Sequence, residues 1–345
     1  MRSLIILLSF AFLFNCSNPR KTFVIVKVVE LGGDKISDAA LTDLLYEEKN
    51  IHVRLEFSSS ADETVERLAS KEIDLAILPN NTQVSNEASE IRTITPLLPR
   101  ILMVFYRNEI KPSINQLIES TNLIYELTGA SDSIFWKAFT EHYAIDRNSF
   151  HYKRFDGTLE YPAIKSQLDS ADIFITIGHL NNYLVDSLFS YGYHLFPLDE
   201  MQAGNSIEGF SLVYPQAYPF LIPEYVFGGK PIHPLPTLGI RDVLVCHEDF
   251  AESRVYDIVE VLSEKRTLLM QRNRNYNLLP YLDQESYHLT FPLHQGSLDY
   301  IHKDKPGFLE RYADVMALFL SITVLSVGYL VSILRKEKTE DTSDE

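Results

Sequence analysis

The run 315–334, VMALFLSITVLSVGYLVSIL, is a stretch of consecutive residues without a single charge. At about 1.5 Å rise per residue a helix of that length covers about 30 Å, the hydrocarbon thickness of a bilayer. A helix satisfies its own backbone groups, so lipid tolerates it, whereas a soluble core seldom needs an uncharged helix so long. Asp314 bounds the run on one side, and Arg335, Lys336 and Lys338 bound it on the other. The basic flank and the short hydrophilic tail read as a stop signal, with the tail on the cytoplasmic side. A buried core helix or a dimerising hairpin is the alternative reading of the same letters. On the membrane reading the helix is an anchor, and the large region before it lies on the opposite face.

The other end carries Met1-Arg2 and then an apolar run from Leu4 to Phe14, broken only by Ser9. That is short for a span and has the basic-then-apolar order of an export signal. Its end, Leu13-Phe14-Asn15-Cys16, resembles a bacterial lipobox, with Asn15 where Gly or Ala is usual. Cys16 is the expected lipidation site; simple cleavage or an uncleaved anchor are the alternatives. With Cys16 acylated, Cys246 is the remaining thiol, and its apolar run Val243-Leu244-Val245 predicts a buried, inert side chain. The formal charge of -16 argues against nucleic acid and against an anionic lipid surface as partners. The chain between the two ends is long enough for two lobes, each with its own core.

That region alternates strands and helices. The pattern predicts strands at Phe23–Leu31, His52–Phe57 and Ile73–Leu78, with helices at Ser37–Lys49 and Asp62–Ser70 between them. The same order is then repeated: strands at Ile101–Tyr106, Asn122–Leu127, His151–Phe155 and Ile173–Ile177, with helices at Ile134–Tyr143 and around Tyr161–Leu168. In both halves an Asp (Asp74, Asp172) leads from a helix end into an apolar strand. Such alternation is the grammar of a mainly parallel sheet covered by helices, and two copies suggest two lobes facing one cleft. Prolines at 215, 219, 223, 231, 234 and 236 predict irregular wall over Gly204–Pro236. A strand at Thr237–His247 and a helix at Ser253–Lys265 follow, with crossings between lobes near Pro99–Arg107 and in the 237–247 strand.

In open α/β sheets ligands bind beyond the carboxyl ends of strands, where helix-start amides point at them. That rule selects five corners: Gly32-Gly33-Asp34-Lys35, Ser58-Ser59-Ser60, Pro79-Asn80-Asn81-Thr82, Thr128–Ser133, and Gly178–Asn182. The candidate binding residues are Gly33, Lys35, Ser59, Ser60, Asn80, Asn81, Thr128, Ser131, Ser133, Gly178 and Asn181. Hydroxyls and free N–H groups at such places suit a carboxylate or phosphate. Each Ser or Asn can equally do no more than cap its helix. Asn80-Asn81-Thr82 is also a glycosylation sequon, relevant in a eukaryotic secretory host.

Catalytic signals are sparse. The histidines are scattered without metal-helix spacing, Gly178–Asn182 lacks a phosphate-loop lysine, and no G-x-S-x-G elbow is present. No cofactor, metal or enzymatic activity is expected.

Near the C-terminal end, Phe291-Pro292-Leu293-His294-Gln295-Gly296-Ser297-Leu298-Asp299-Tyr300 resembles the P-x-H-P-G-A-x-x-Y-Y segment of TAXI-family solute receptors of TRAP transporters. Pro292, His294, Gly296 and Tyr300 match, while Gln295 and Ser297 differ. Pro306–Tyr312 resembles the phrase through which some members continue into a membrane helix, and Ser60–Ile77 resembles the family's serine-capped helix and Asp-led strand. Leu98–Arg107, Ile124–Ser133, Asp172–Gly178 and Pro236–Leu262 follow the family's order. The resemblance implies a type II periplasmic-binding-protein fold, two α/β lobes around a cleft plus a C-terminal transmembrane helix. It implies capture of a small solute, carboxylate-bearing in this family, for a TRAP-type membrane permease, with hinge closure burying it.

The implied organisation is a signal segment and lipobox (1–16), lobe 1 (22–104), lobe 2 (105–235), a return to lobe 1 (236–290), the C-terminal phrase and linker (291–314), the transmembrane helix (315–334) and a cytoplasmic tail (335–345). The main domain would be periplasmic and membrane-tethered. Only Gly32-Gly33 remains of the family's Gly/Tyr-rich first loop, and Glu63 beside Asp62 stands where the family has Asn. A carboxylate there would meet like charge, with Lys35 to offset it. The second reading is therefore a receptor-like domain kept as a sensor or assembly partner without transport.

Overall fold

The computed structural model describes residues 22–28, 39–58, 60–82, 89–107, 113–126, 133–146, 148, 150–154, 171–180, 183–198, 207–282, 288–305 and 313–340. Residues 1–301 form one compact unit and 302–345 a second.

Strand β10 (Leu235–His247) shows how the first unit is built. Successive side chains of a strand point to opposite faces of its sheet. Leu238 and Ile240 enter one apolar core, and Leu244 and Cys246, on the same face, enter another. On the other face Leu235 enters a third core, while Val243 and Val245 enter a fourth. Between the paired cores the strand carries Arg241 and Asp242. One strand thus runs through two lobes, apolar in each and charged at the passage. Burying each Leu or Ile contributes about 1.5–3 kcal/mol.

The sheet has ten strands in the order β2-β1-β3-β10-β4-β7-β5-β6, with β9 added to β10 and β8 to β4. Lobe 1 uses β1 (Phe23–Val28), β2 (Val53–Ser58) and β3 (Leu75–Pro79), parallel to one another, beside β10 and the start of β4 (Ile91–Tyr106). Lobe 2 uses the rest of β4 with β7 (Ile173–Gly178), β5 (Leu123–Glu126) and β6 (His151–Arg154), plus β8 (His194–Leu195) and β9 (Ala217–Ile222). β4 and β10 are antiparallel and belong to both lobes. Their register slips between Arg241 and Val243, opposite Pro99 and Pro96. Proline has no N–H to give a ladder, so a central strand accepts it at a bulge, and here the bulge marks the passage between lobes.

Helices cover both faces. Helix α1 (Ala39–Lys49) and the later α7 (Glu252–Glu264) share one lobe 1 core with β1 and β3, and α2 (Ala61–Ala69) covers the opposite face. Lobe 2 packs α3 (Ile114–Glu119), α4 (Ser133–His142) and α6 (Ile207–Val213) on one face and α5 (Tyr183–Ser190) on the other. Short α8 (Arg266–Arg272), a 3₁₀ turn (Arg274–Leu278) and α9 (Gln295–Ile301) complete the unit.

The two Asp residues noted in the sequence do the same thing in each lobe. Val24 N–H donates to Asp74 Oδ2 at 3.0 Å, and Asn122 N–H donates to Asp172 Oδ2 at 3.1 Å. Each carboxylate holds the start of the neighbouring parallel strand.

The expectation of irregular wall over Gly204–Pro236 is corrected: α6 and β9 lie there. Pro219 is accommodated because β9 is an edge strand: among the described residues its one ladder is with β10. The predicted helix at 161–168 falls outside the described residues.

The second unit contains α10 (Ala313–Glu340). Its described side chains, 316–329, are exposed. Among the described residues no helix is long and apolar enough to cross a membrane.

Candidate functional site

The passage between lobes collects buried ionisable side chains on the sheet face that carries Asp242. Lys27 near the end of β1, Arg100 on β4, Asp242 on β10 and Glu126 at the end of β5 are each at most 5% exposed. Lys27 and Glu126 are the lone charges of their strands, whereas Asp242 follows Arg241 on β10 and Arg100 shares β4 with Arg92. His179 follows β7 and turns its Nε2 to Asp242 Oδ2 at 3.1 Å, while Arg100 Nε lies 3.8 Å from Asp242 Oδ1. His179 Nδ1 lies 3.1 Å from the carbonyl oxygen of Pro99.

Burial alone would push the Asp242 carboxyl up. The hydrogen bond from His179 and the charges of His179, Arg100 and Lys27 outweigh it and hold the carboxyl below the usual carboxylate range. Asp242 is therefore an anion held among basic groups. Cys246, further along β10, is fully buried and its thiol is pushed up to about 12, chiefly by desolvation. It is inert packing.

Arg241 turns the other way, its guanidinium 4.5 Å from the centre of the Tyr218 ring. It lines a cavity of about 240 Å³ with Asn80, Gln216, Tyr218 and His288. A larger cleft of about 840 Å³ lies between Leu180, Tyr225 and Phe227 of lobe 2 and Asn273, Asn275 and Asn277 of the 3₁₀ turn region.

The sequence candidates fall into three groups. Asn80 and Gly178 come to the passage. Asn80 N–H donates to Arg241 O at 2.8 Å, and Gly178 pairs with Ile101 immediately before His179. The Asn80 amide is engaged, donating to His288 O at 2.8 Å and accepting from Thr290 N–H at 2.9 Å; Asn81 beside it is buried. Ser60 stands apart, after β2, three places from β10 in the sheet. Its hydroxyl accepts from Glu63 N–H at 3.1 Å and caps α2. Ser133 begins α4. Gly33, Lys35, Ser59, Thr128, Ser131, Asn181 and the lipidation candidate Cys16 lie outside the described residues. Sequence reasoning missed Lys27, Arg100, Glu126, His179 and Asp242. The signal was available: charges inside the apolar runs FVIVKV, PRILMVFY, LIYE and IRDVLVC cost too much to bury unless they are paired.

Among the described residues no three His, Cys, Asp or Glu side chains gather as metal ligands would. Comparison with known proteins adds a family. The profile of the NMT1-like family matches residues 33–302, most of the chain. The chain belongs to the NMT1-like family.

Among solved structures, this NMT1-like chain superposes on MatC from Rhodopseudomonas palustris, determined with bound malate, with a TM-score of 0.51. Identity is 13%, and the superposition covers 82% of this chain and 97% of MatC. The arginine-, lysine-, histidine-binding protein ArtJ from Geobacillus stearothermophilus gives 0.45 at 13% identity, covering 76% of this chain and 98% of that one. The fold resembles that of periplasmic solute-binding proteins. A curated relative, pyruvate decarboxylase of Candida albicans, is 26% identical over 164 residues, 45% of this chain. The match spans only 27% of that enzyme's length.

Proposed function

We propose that this NMT1-like protein is an extracytoplasmic solute receptor, a binder and not an enzyme, that closes two lobes on a small carboxylate-bearing solute. The observation that carries the reading is the ionic cluster at the passage between lobes, where Lys27, Arg100 and His179 surround Asp242. Basic groups buried beside a low-dielectric wall bind an anion far more strongly than the same groups on a surface. MatC, of like fold, was determined with malate. The corners Gly32–Lys35 and Thr128–Ser133 follow β1 and β5 in sequence, the strands that carry Lys27 and Glu126, and their donors would complete the solute's shell.

In the finer form of the proposal the protein is a TAXI-type receptor tethered by Cys16 lipidation and by a span over 315–334, with its main domain in the bacterial periplasm and its tail in the cytoplasm. Its partner would be a TRAP-type permease. The uncharged run 315–334 of the sequence is what supports that span.

The test is thermal unfolding with a panel of mono- and dicarboxylates and amino acids. A solute at about a hundred times its Kd adds about 2.7 kcal/mol and raises the melting temperature. A panel with no stabilising member would sink the reading. The sensor alternative draws on the double tether, which would keep a receptor from diffusing; co-purification with a kinase or scaffold in place of a permease would favour it.

A further inference from the structure

The two ring nitrogens of His179 each face an acceptor. Its Nδ1 meets the Pro99 carbonyl at 3.1 Å and its Nε2 meets the Asp242 carboxylate at 3.1 Å. A carbonyl can only accept, and an ionised carboxylate can only accept, so both ring nitrogens must carry hydrogen. A neutral imidazole would put one bare lone pair against an acceptor.

The two acceptors belong to different strands at a telling place. Pro99 lies on β4 and Asp242 on β10, both at the register slip where these strands pass between lobes. His179 comes from the corner that ends β7, a strand of lobe 2 alone. The ring is mostly buried, with its side chain 13% exposed.

We infer that His179 is a proton-binding clasp: as the imidazolium it ties the β7 corner of lobe 2 to the pivot strands β4 and β10, and losing its second proton releases one of the two ties. The charged groups around it are Asp242 on β10, Arg100 on β4 and Lys27 on β1. Arg100 and Lys27 oppose a further positive charge, and Asp242 favours it. Asp242 makes a direct contact at 3.1 Å, and Arg100 Nε lies 3.8 Å from the other oxygen of the same carboxylate. The inference rests on the pivot geometry and not on any solute, so it stands or falls separately from the receptor reading.

The experiment uses full-length protein with ¹⁵N-labelled histidine, the His179 signals being those missing from His179→Gln. At about pH 7.5, where an ordinary histidine is mostly neutral, both ring nitrogens of His179 should carry protons. Spin labels at Glu72→Cys in lobe 1 and Glu208→Cys in lobe 2, in a Cys16→Ser background, report the lobe separation. Their distance distribution should broaden as one His179 N–H signal is lost with rising pH, and should be broad throughout in His179→Gln. Asp242→Asn should leave His179 neutral already at about pH 7.5, and serves as the reference if His179→Gln does not fold. A neutral His179 in the wild type at that pH, or a distance distribution that ignores its titration, would overturn the inference.

Discussion

Asp242 sits in a strand where both neighbouring cores would reject a charge, and it is kept ionised by the groups around it. Its carboxyl is held low by the His179 hydrogen bond and by His179, Arg100 and Lys27, against the opposing effect of burial. The unfolded chain has an ordinary carboxyl with a pKa of about 3.9. The stability that Asp242 contributes is therefore fully present above that value and is lost as pH falls through the lower folded value. We expect Asp242→Asn to cost about 3–5 kcal/mol at neutral pH, because it strands buried basic groups. The same variant should flatten the acid limb of a plot of urea midpoint against pH; an acid limb identical to that of the wild type would contradict this account. Asp242 was legible in sequence only as an oddity, one acid inside an apolar run. What could not be read was its company, since Lys27, Arg100 and His179 come from three distant parts of the chain.

At the scale of elements, the phrase Phe291–Tyr300 near the C-terminus is a staple. Thr93 N–H donates to Pro292 O at 2.7 Å and its hydroxyl donates to Phe291 O at 2.7 Å, while His294 N–H returns to Thr93 O at 2.8 Å. His294 Nε2 lies 3.1 Å from Glu248 O and its Nδ1 accepts from Gly296 N–H at 3.1 Å, which fixes the neutral tautomer protonated on Nε2. Ser297 donates to Ile94 O at 2.7 Å. Gly296 is required by close approach to α7: a Cβ there would lie 2.3 Å from Glu252 O and 2.9 Å from Val255 Cβ. Gly296→Ala should cost about 1–3 kcal/mol, read as a lower urea midpoint at unchanged slope; an unchanged midpoint would mean that α9 can move off α7 freely. The likeness in this phrase thus reports a packing requirement, which is why it said more about fold than about ligand. The strand–helix alternation was legible because hydrophobic period and the Asp-led strands are local signals. The first half of β4 was not, because Pro96 and Pro99 argue against a central strand unless the bulge is known, and β9 was hidden by Pro219 within it and by Pro215 and Pro223 on either side.

The whole first unit hangs on two strands. Each lobe's sheet contains part of β4 and part of β10, so unfolding either lobe strips hydrogen-bonded neighbours from the other. We expect one calorimetric transition for this unit, with the calorimetric and van't Hoff enthalpies equal; two resolved transitions would show that the lobes are energetically separate. The alternation of strands and helices on either side of the β4–β10 pair was legible from its repetition along the chain. The candidate site was legible in part, through Asn80 and Gly178, because the carboxyl-end rule finds the right edge of a sheet and does not say which side chains from other strands meet there.

The path of the chain has a mechanical consequence. The unit's first strand, β1, and its last helix, α9, both pack in lobe 1, and lobe 2 is an excursion that departs along β4 and comes home along β10. A pull exerted through either end of this unit is therefore borne by lobe 1, which acts as the stator. A movement of lobe 2 about these strands would need no displacement of whatever grips the ends.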